Sequence, residues 1–191
     1  MSHGHHIHGD HDEHDEGHGS RNKQIGLLIS VIALMLALTE LFGQASHTKA
    51  LQSNIEASNL WAFFQAKTIR GTTLETAADE METSAATVKD AEQRKAMQER
   101  IVQWRAKAAR YESDPQTKEG RKELSHRAKE AEAVRDRSEK KHHRYELGSG
   151  CFQIAIVLAS ASLITGLVSL LWGAAGLGGL GLIFLLAGMI G

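Results

Sequence analysis

The chain has 191 residues, with 22 Lys or Arg against 23 Asp or Glu, one cysteine and one proline. So even a charge lacks the dominant basic face of a nucleic-acid binder, and the lone thiol of Cys151 can form neither an internal disulfide nor a cysteine metal site. The near-neutral total hides a strong segregation, in which three long apolar stretches alternate with charged ones.

Residues 1–23 come first. His3, His5, His6, His8, His11, His14 and His18 are interleaved with Asp10, Asp12, Glu13, Asp15 and Glu16. Almost nothing here can be buried, so a disordered tail is expected. Neutral imidazole suits Zn, Ni, Cu and Co, with affinity rising towards Cu. A flexible segment cannot impose a geometry, so a divalent transition metal held by it would be labile and poorly selected. The tail reads either as a metal-capturing segment or as a solvating extension whose histidines are incidental. Clustered histidines would also gain charge as pH falls through about 6.5, turning an acidic tail basic.

Residues 24–43 form the first expected transmembrane helix, since crossing a bilayer takes about 20 apolar residues and Ile25 to Phe42 is nearly uninterrupted. Gly43-Gln44-Ala45 offers small residues to a signal peptidase. The apolar run is nevertheless longer than the roughly 7–15 residues of a secretory signal, and its leader is acidic, so a retained anchor is expected. Glu40 is the one ionisable side chain in an expected span. An intramembrane carboxylate is a functional candidate by default. Its place near the end of the run equally suits an interfacial group bonded to Thr39, Gln44 or headgroups.

Residues 44–147 hold twenty Lys or Arg against seventeen Asp or Glu and should be helical nearly throughout. Gly71-Thr72-Thr73 and Ser113-Asp114-Pro115 are the two breaks, giving helices over 47–70, 74–112 and 116–147. Leu74, Ala78, Met81, Ala85 and Val88 step by four and three, as do Met97, Ile101, Trp104, Ala108 and Tyr111. Leu124, Ala128, Ala131 and Val134 continue the pattern. Steps averaging 3.5 residues mark a seam between helices. An antiparallel, coiled-coil-like hairpin turning at Pro115 satisfies these stripes and returns the chain to the second span.

Trp61, Phe64, Gln65 and Thr68 fall on one helical face. As a docking surface, Trp61 and Phe64 would anchor a partner while Gln65 and Lys67 set its register. As a packing motif, the aromatic stripe would be a buried face or an interfacial belt. From Cys151 to Gly191 there is no charged side chain. Two further spans are expected at 150–171 and 175–190, with the chain turning among Gly173, Gly176 and their neighbours. Small residues later in the run, such as Gly181 and Gly188, permit close helix contact.

The segment Trp61-Ala62-Phe63-Phe64-Gln65-Ala66-Lys67, followed by Tyr145-Glu146-Leu147 and Gln153-Ile154-Ala155-Ile156, resembles the bacterial membrane proteins grouped as domain of unknown function 4337. The likeness covers about residues 21–190 and leaves the His-rich leader outside. It implies one span, a helical insert and a terminal pair of spans, and it brings no activity or catalytic residue.

Arg135, Arg137, Lys140, Lys141 and Arg144 precede the second span, whereas Arg21 and Lys23 flank the other side. Positive charge near span ends marks the cytoplasmic face. No GxxxxGK[ST], nucleophile elbow or HExxH occurs, so neither an enzyme nor a resident cofactor is expected. The reading is therefore an all-α integral membrane protein of the bacterial inner membrane. It has three transmembrane helices and a cytoplasmic helical hairpin between the first and second. Its expected role is a self-associating scaffold or adaptor, a homo-oligomer with lipid and an unidentified membrane or cytoplasmic protein as partners and no nucleic acid. The alternative is a metal- or pH-responsive membrane factor, including an oligomeric transporter or channel, that uses the His-rich tail.

Overall fold

A computed structural model describes residues 15–190 as four helices, with no strand among the described residues. They are α1 (Asp15–Ala85), α2 (Ala91–Glu112), α3 (Arg121–Thr165) and α4 (Val168–Ile190). His3, His5, His6, His8, His11 and His14 lie outside the described residues. The tail expected to be disordered up to residue 23 is corrected from Asp15 onward, where α1 begins and takes in His18. Once the apolar segment has nucleated a helix, each added residue gains a hydrogen bond at little further cost. Helices α1, α3 and α4 each hold a stretch long and apolar enough to cross a membrane, and no more than 28% of any such stretch is buried within the chain.

Contacts divide the described residues into two compact units, one made of 15–47 with 139–190, the other of Thr48–Ser138. In the first, the core is Ile32, Phe152 and Ala155, with Leu28, Met35, Leu36, Ile156 and Leu177 packed around it. Gly43 lies against Tyr145, and Thr39 against Gly148. Residues rising along α1 thus meet residues falling along α3, and the two are antiparallel. Helix α4 then comes back along α3, Gly173 meeting Leu158, Gly181 meeting Phe152 and Gly188 meeting Tyr145.

This unit corrects the expected boundaries 150–171 and 175–190. The turn sits at Gly166-Leu167, and Gly173, Gly176, Gly178, Gly179 and Gly181 all lie within α4. Gly166 has φ +73°, a left-handed conformation that closes α3 and that a Cβ would strain. Its N–H bonds the Ser162 carbonyl at 2.9 Å, and the Ser162 hydroxyl donates to the Leu167 carbonyl at 3.0 Å. The glycines of α4 serve contact instead of reversal. A Cβ at Gly181 would lie 2.9 Å from the Phe152 ring and 3.1 Å from the Gly148 carbonyl oxygen.

In the second unit the expected seam is present. Ile101, Ala108, Leu124, Ala128 and Ala131 are buried, as are Ala78 and Ala85, and Met81, Met97, Trp104, Tyr111 and Val134 are half-buried. The breaks are corrected. Helix α1 passes through Gly71-Thr72-Thr73 without interruption, because buried Gly71 lies against Tyr111 and the Thr73 hydroxyl bonds Ile69 within the helix. The expected helix over 74–112 is two helices, reversing over residues 86–90. Asp90 caps α2 by accepting from the Glu92 N–H at 2.9 Å and the Gln93 N–H at 3.4 Å, satisfying donors that a helix start leaves orphaned. Arg94 closes the turn through its Nη2, 2.7 Å from the Val88 carbonyl oxygen.

The reversal expected at Pro115 therefore occurs at 86–90. Pro115 lies in the connection between α2 and α3, both of which run antiparallel to α1. Arg105 bonds Asp79 and Glu82, Lys67 meets Glu119, Leu60 packs on Leu124 and Ala128, and Arg135 reaches Asn54.

Replacing Gly181 by Val should lower the thermal stability of the detergent-solubilised protein by roughly 1–3 kcal/mol through overpacking. Gly166→Ala should cost about 1 kcal/mol through its φ. Gly179→Ala should change little, since open space surrounds that position. Circular-dichroism melts of the three variants check the order.

Candidate functional site

Three groups of side chains carry chemistry, and the Trp61 motif forms the first. Trp61 Nε1 donates to Glu132 Oε1 at 2.9 Å, and its ring stands edge-on to Phe64 at 5.4 Å. Both rings pack on Leu60, Leu124 and Ala128. Lys67 Nζ sits 5.1 Å from the Phe63 ring centre and 5.2 Å from that of Tyr111. It also lies 3.6 Å from Glu119, with its side chain 12% exposed. Arg121 stacks over Phe64 at 5.2 Å. Cations over aromatic faces gain most where water is excluded, so this knot holds together the point where α2 ends and α3 begins beside α1. Gln65 departs from the face expected for it and is exposed, because inward positions on this stretch fall at Leu60, Phe64 and Lys67.

The corner between α2 and α3 forms the second group. The Ser113 hydroxyl donates to Glu123 Oε1 at 2.7 Å and the Asp114 N–H to Oε2 at 3.2 Å. The Ser113 hydroxyl, then backbone N–H groups, hold the Glu123 carboxyl below its ordinary range. For Asp114, desolvation pushes upward, but hydrogen bonds from Arg110 and Thr117 prevail and leave it lowered.

The third group belongs to the first unit and was only partly foreseen. Glu40 is exposed and accepts from Gln153 Nε2 at 3.3 Å. Beside it, a cleft of about 330 Å³ is lined by Thr39, Gln44, His142, Tyr145, Glu146 and Ser149. His142 Nδ1 is 3.0 Å from the Gly43 carbonyl oxygen. A carbonyl only accepts, so Nδ1 carries the proton there. Its Nε2 lies 3.6 Å from Glu146, which His143 approaches at 3.7 Å. The His47 ring is 4.8 Å from that of His142.

Position alone singled out Glu40. His142, Glu146, Ser149 and Gln153 were legible as steps of four, three and four running into an apolar stretch, a polar stripe on one face of α3. Among the described residues no three His, Cys, Asp or Glu side chains converge to hold a metal ion, and Cys151 is free and half-buried. What the cleft offers is paired hydrogen bonding between α1 and α3, reaching a carboxylate at its apolar end.

The family model described as Domain of unknown function (DUF4337) matches residues 21–191. No curated protein and no solved structure is significantly similar to the chain.

Trp61→Ala should destabilise the second unit by roughly 3–5 kcal/mol, as large-to-small core changes do, while Lys67→Met should cost on the order of 1 kcal/mol by removing the cation from its rings. Amide exchange of α2 and α3 separates the two. Carboxyls lowered by folding stabilise above the ordinary carboxylate range of about 4 and stop doing so as pH falls through their folded values. Pepsin should therefore begin to cut the 113–120 corner only below about pH 4, and Glu123→Gln should make that cutting less dependent on pH.

Proposed function

The chain belongs to the DUF4337 family, and from that premise we propose that it is a membrane-anchored helical scaffold or adaptor that self-associates. The observation that carries this reading is exposed apolar surface. Leu27, Leu34, Leu41, Val157, Ile164, Trp172 and Ile183 are all exposed, on helices that leave most of their apolar length uncovered. Water does not tolerate contiguous apolar surface of this extent, whereas lipid solvates it, and helices satisfy their own backbone in lipid.

The three apolar stretches are spans, and Thr48–Ser138 is an extramembrane helical unit between the first and second. Lys140, Lys141 and Arg144 lie at one end of the first unit, where Arg144 Nη1 donates to the Ala187 carbonyl at 2.9 Å. Arg21 and Asn22 lie at the other end, beside the Gly166 turn. The end richer in positive charge faces the cytoplasm, so the helical unit is cytoplasmic and the membrane is the bacterial inner membrane. The Glu40–Gln153 bond and the His142 cleft act as polar joints between helices, which in lipid secure helix pairs.

Ultracentrifugation without detergent should leave the protein in the pellet; recovery in the supernatant would remove the reading. Native mass measurement in detergent should give a multiple of the 20.9 kDa chain. Deleting residues 2–20 should leave the number of copies unchanged, whereas a factor acting through its His-rich tail would lose its response to added Zn or Ni.

A further inference from the structure

Within the helical unit, α1 carries two seams. The first faces α2 and α3 through Ala50, Ser53, Ala57, Leu60, Gly71 and Ala78, all buried. The second lies on the opposite side. It begins with Leu51, Ile55, Ser58 and Ala62 and keeps the same steps of four and three through Gln65, Ile69, Thr72 and Thr76. Every one of these positions is exposed, with Leu51 51%, Ile55 60% and Ile69 67% exposed. None is charged.

The neighbouring positions Gln52, Asn54, Asn59, Ala66, Thr68 and Thr73 are uncharged too, and Glu75 is the first charged one. On α2 the outward positions mix charged residues such as Glu92, Arg94, Lys95 and Glu99 with uncharged ones such as Ala96 and Val102. An open groove of about 540 Å³ runs beside Ile69, Thr72 and Thr76.

We infer that this outer stripe of α1 is the surface on which a second copy of the chain docks, the two α1 helices lying parallel and in register. The inference rests on the anchored-scaffold reading, because anchorage in one bilayer gives every copy the same direction. Parallel pairing at a 3.5-residue repeat sets each stripe residue opposite itself. That arrangement penalises like charges and suits a stripe with none. It also suits Gln65, whose amide both donates and accepts and can therefore bond its own copy, fixing register as a single polar seam position does. Glu75 and Glu80 set the far limit, since like carboxylates on paired copies would repel. Only three large apolar residues lie on the stripe, so the contact is weak by itself and depends on the local concentration that anchorage supplies.

The test places single cysteines in a Cys151→Ser chain, in native membranes, under mild oxidation. Ser58→Cys and Thr72→Cys should each give disulfide-linked dimers, while Glu99→Cys on the outer face of α2 should not. In a chain pairing Ser58→Cys with Thr72→Cys, 58-to-58 and 72-to-72 links should dominate. A predominant 58-to-72 link marks antiparallel arms and overturns the inference, as would equal linking at Glu99→Cys. Ile69→Asp, at an exposed position, should reduce crosslinking at Ser58→Cys at least tenfold with helix content unchanged, and undiminished linking counts against the stripe. Multimeric native mass without stripe crosslinks overturns this surface and leaves the scaffold reading standing. A monomeric mass without crosslinks removes both.

Discussion

Close approach of helix backbones governs both units of this chain. Two helices can pack at short range only where contact positions carry little side chain, and each unit meets that condition with its own residues. In the first, Gly148 and Gly181 bring α3 and α4 together until a single added carbon on Gly181 would meet both the Phe152 ring and the Gly148 backbone. In the second, Ala57, Gly71, Ala78 and Ala128 line the contact between α1 and its two partners, with Ala78 and Ala128 fully buried. Small residues contribute little transfer energy of their own. What they allow is dense contact along a long interface, where many weak dispersion terms add.

Large side chains are kept for the places where close approach fails. Helix α2 stops at Glu112 and α3 starts at Arg121, so α1 loses a continuous partner there. The gap is flanked by Phe64 and Tyr111, with Arg121 and Lys67 lying over their rings, while Trp61 packs further along α3 on Leu124 and Ala128. The long aliphatic stems of Lys67 and Arg121 cover apolar surface while their charges find Glu119 and Glu112. The conspicuous aromatic motif is thus an internal joint. The less conspicuous stripe on the other side of α1, made of hydroxyls, an amide, an alanine and three large aliphatic residues, is a face that no described element covers.

The proposed scaffold joins two solvents through one set of helices. Apolar stretches in α1, α3 and α4 suit lipid, and the charged helical unit suits water. The cleft around His142 and Glu40 holds hydrogen bonds whose worth rises as water is excluded. A polar stripe of this kind fixes how two helices meet, because a shifted register would leave its groups unpaired.

Much of this could be read from the residues alone. Helical character, three apolar stretches and the seam positions from Leu74 to Val134 are local properties, written as period and composition within a few turns. Burial of Ile101, Ala108, Leu124 and Ala128 follows from that period, because a 3.5-residue repeat repeatedly returns the same face of a helix to its partner. The tertiary structure decided where the chain reverses and what each special residue does. Pro115 looked like the turn, yet Asp90 and Arg94 make it, since capping and turn closure depend on backbone groups that a propensity argument does not see. The α4 glycines looked like a hinge, but they are contact points, because helix–helix packing can compensate for their low propensity. His142 meets Gly43 and Gln153 meets Glu40 across about a hundred intervening residues. Such pairings are set by the register of two packed helices, a relation between distant segments that no local pattern contains.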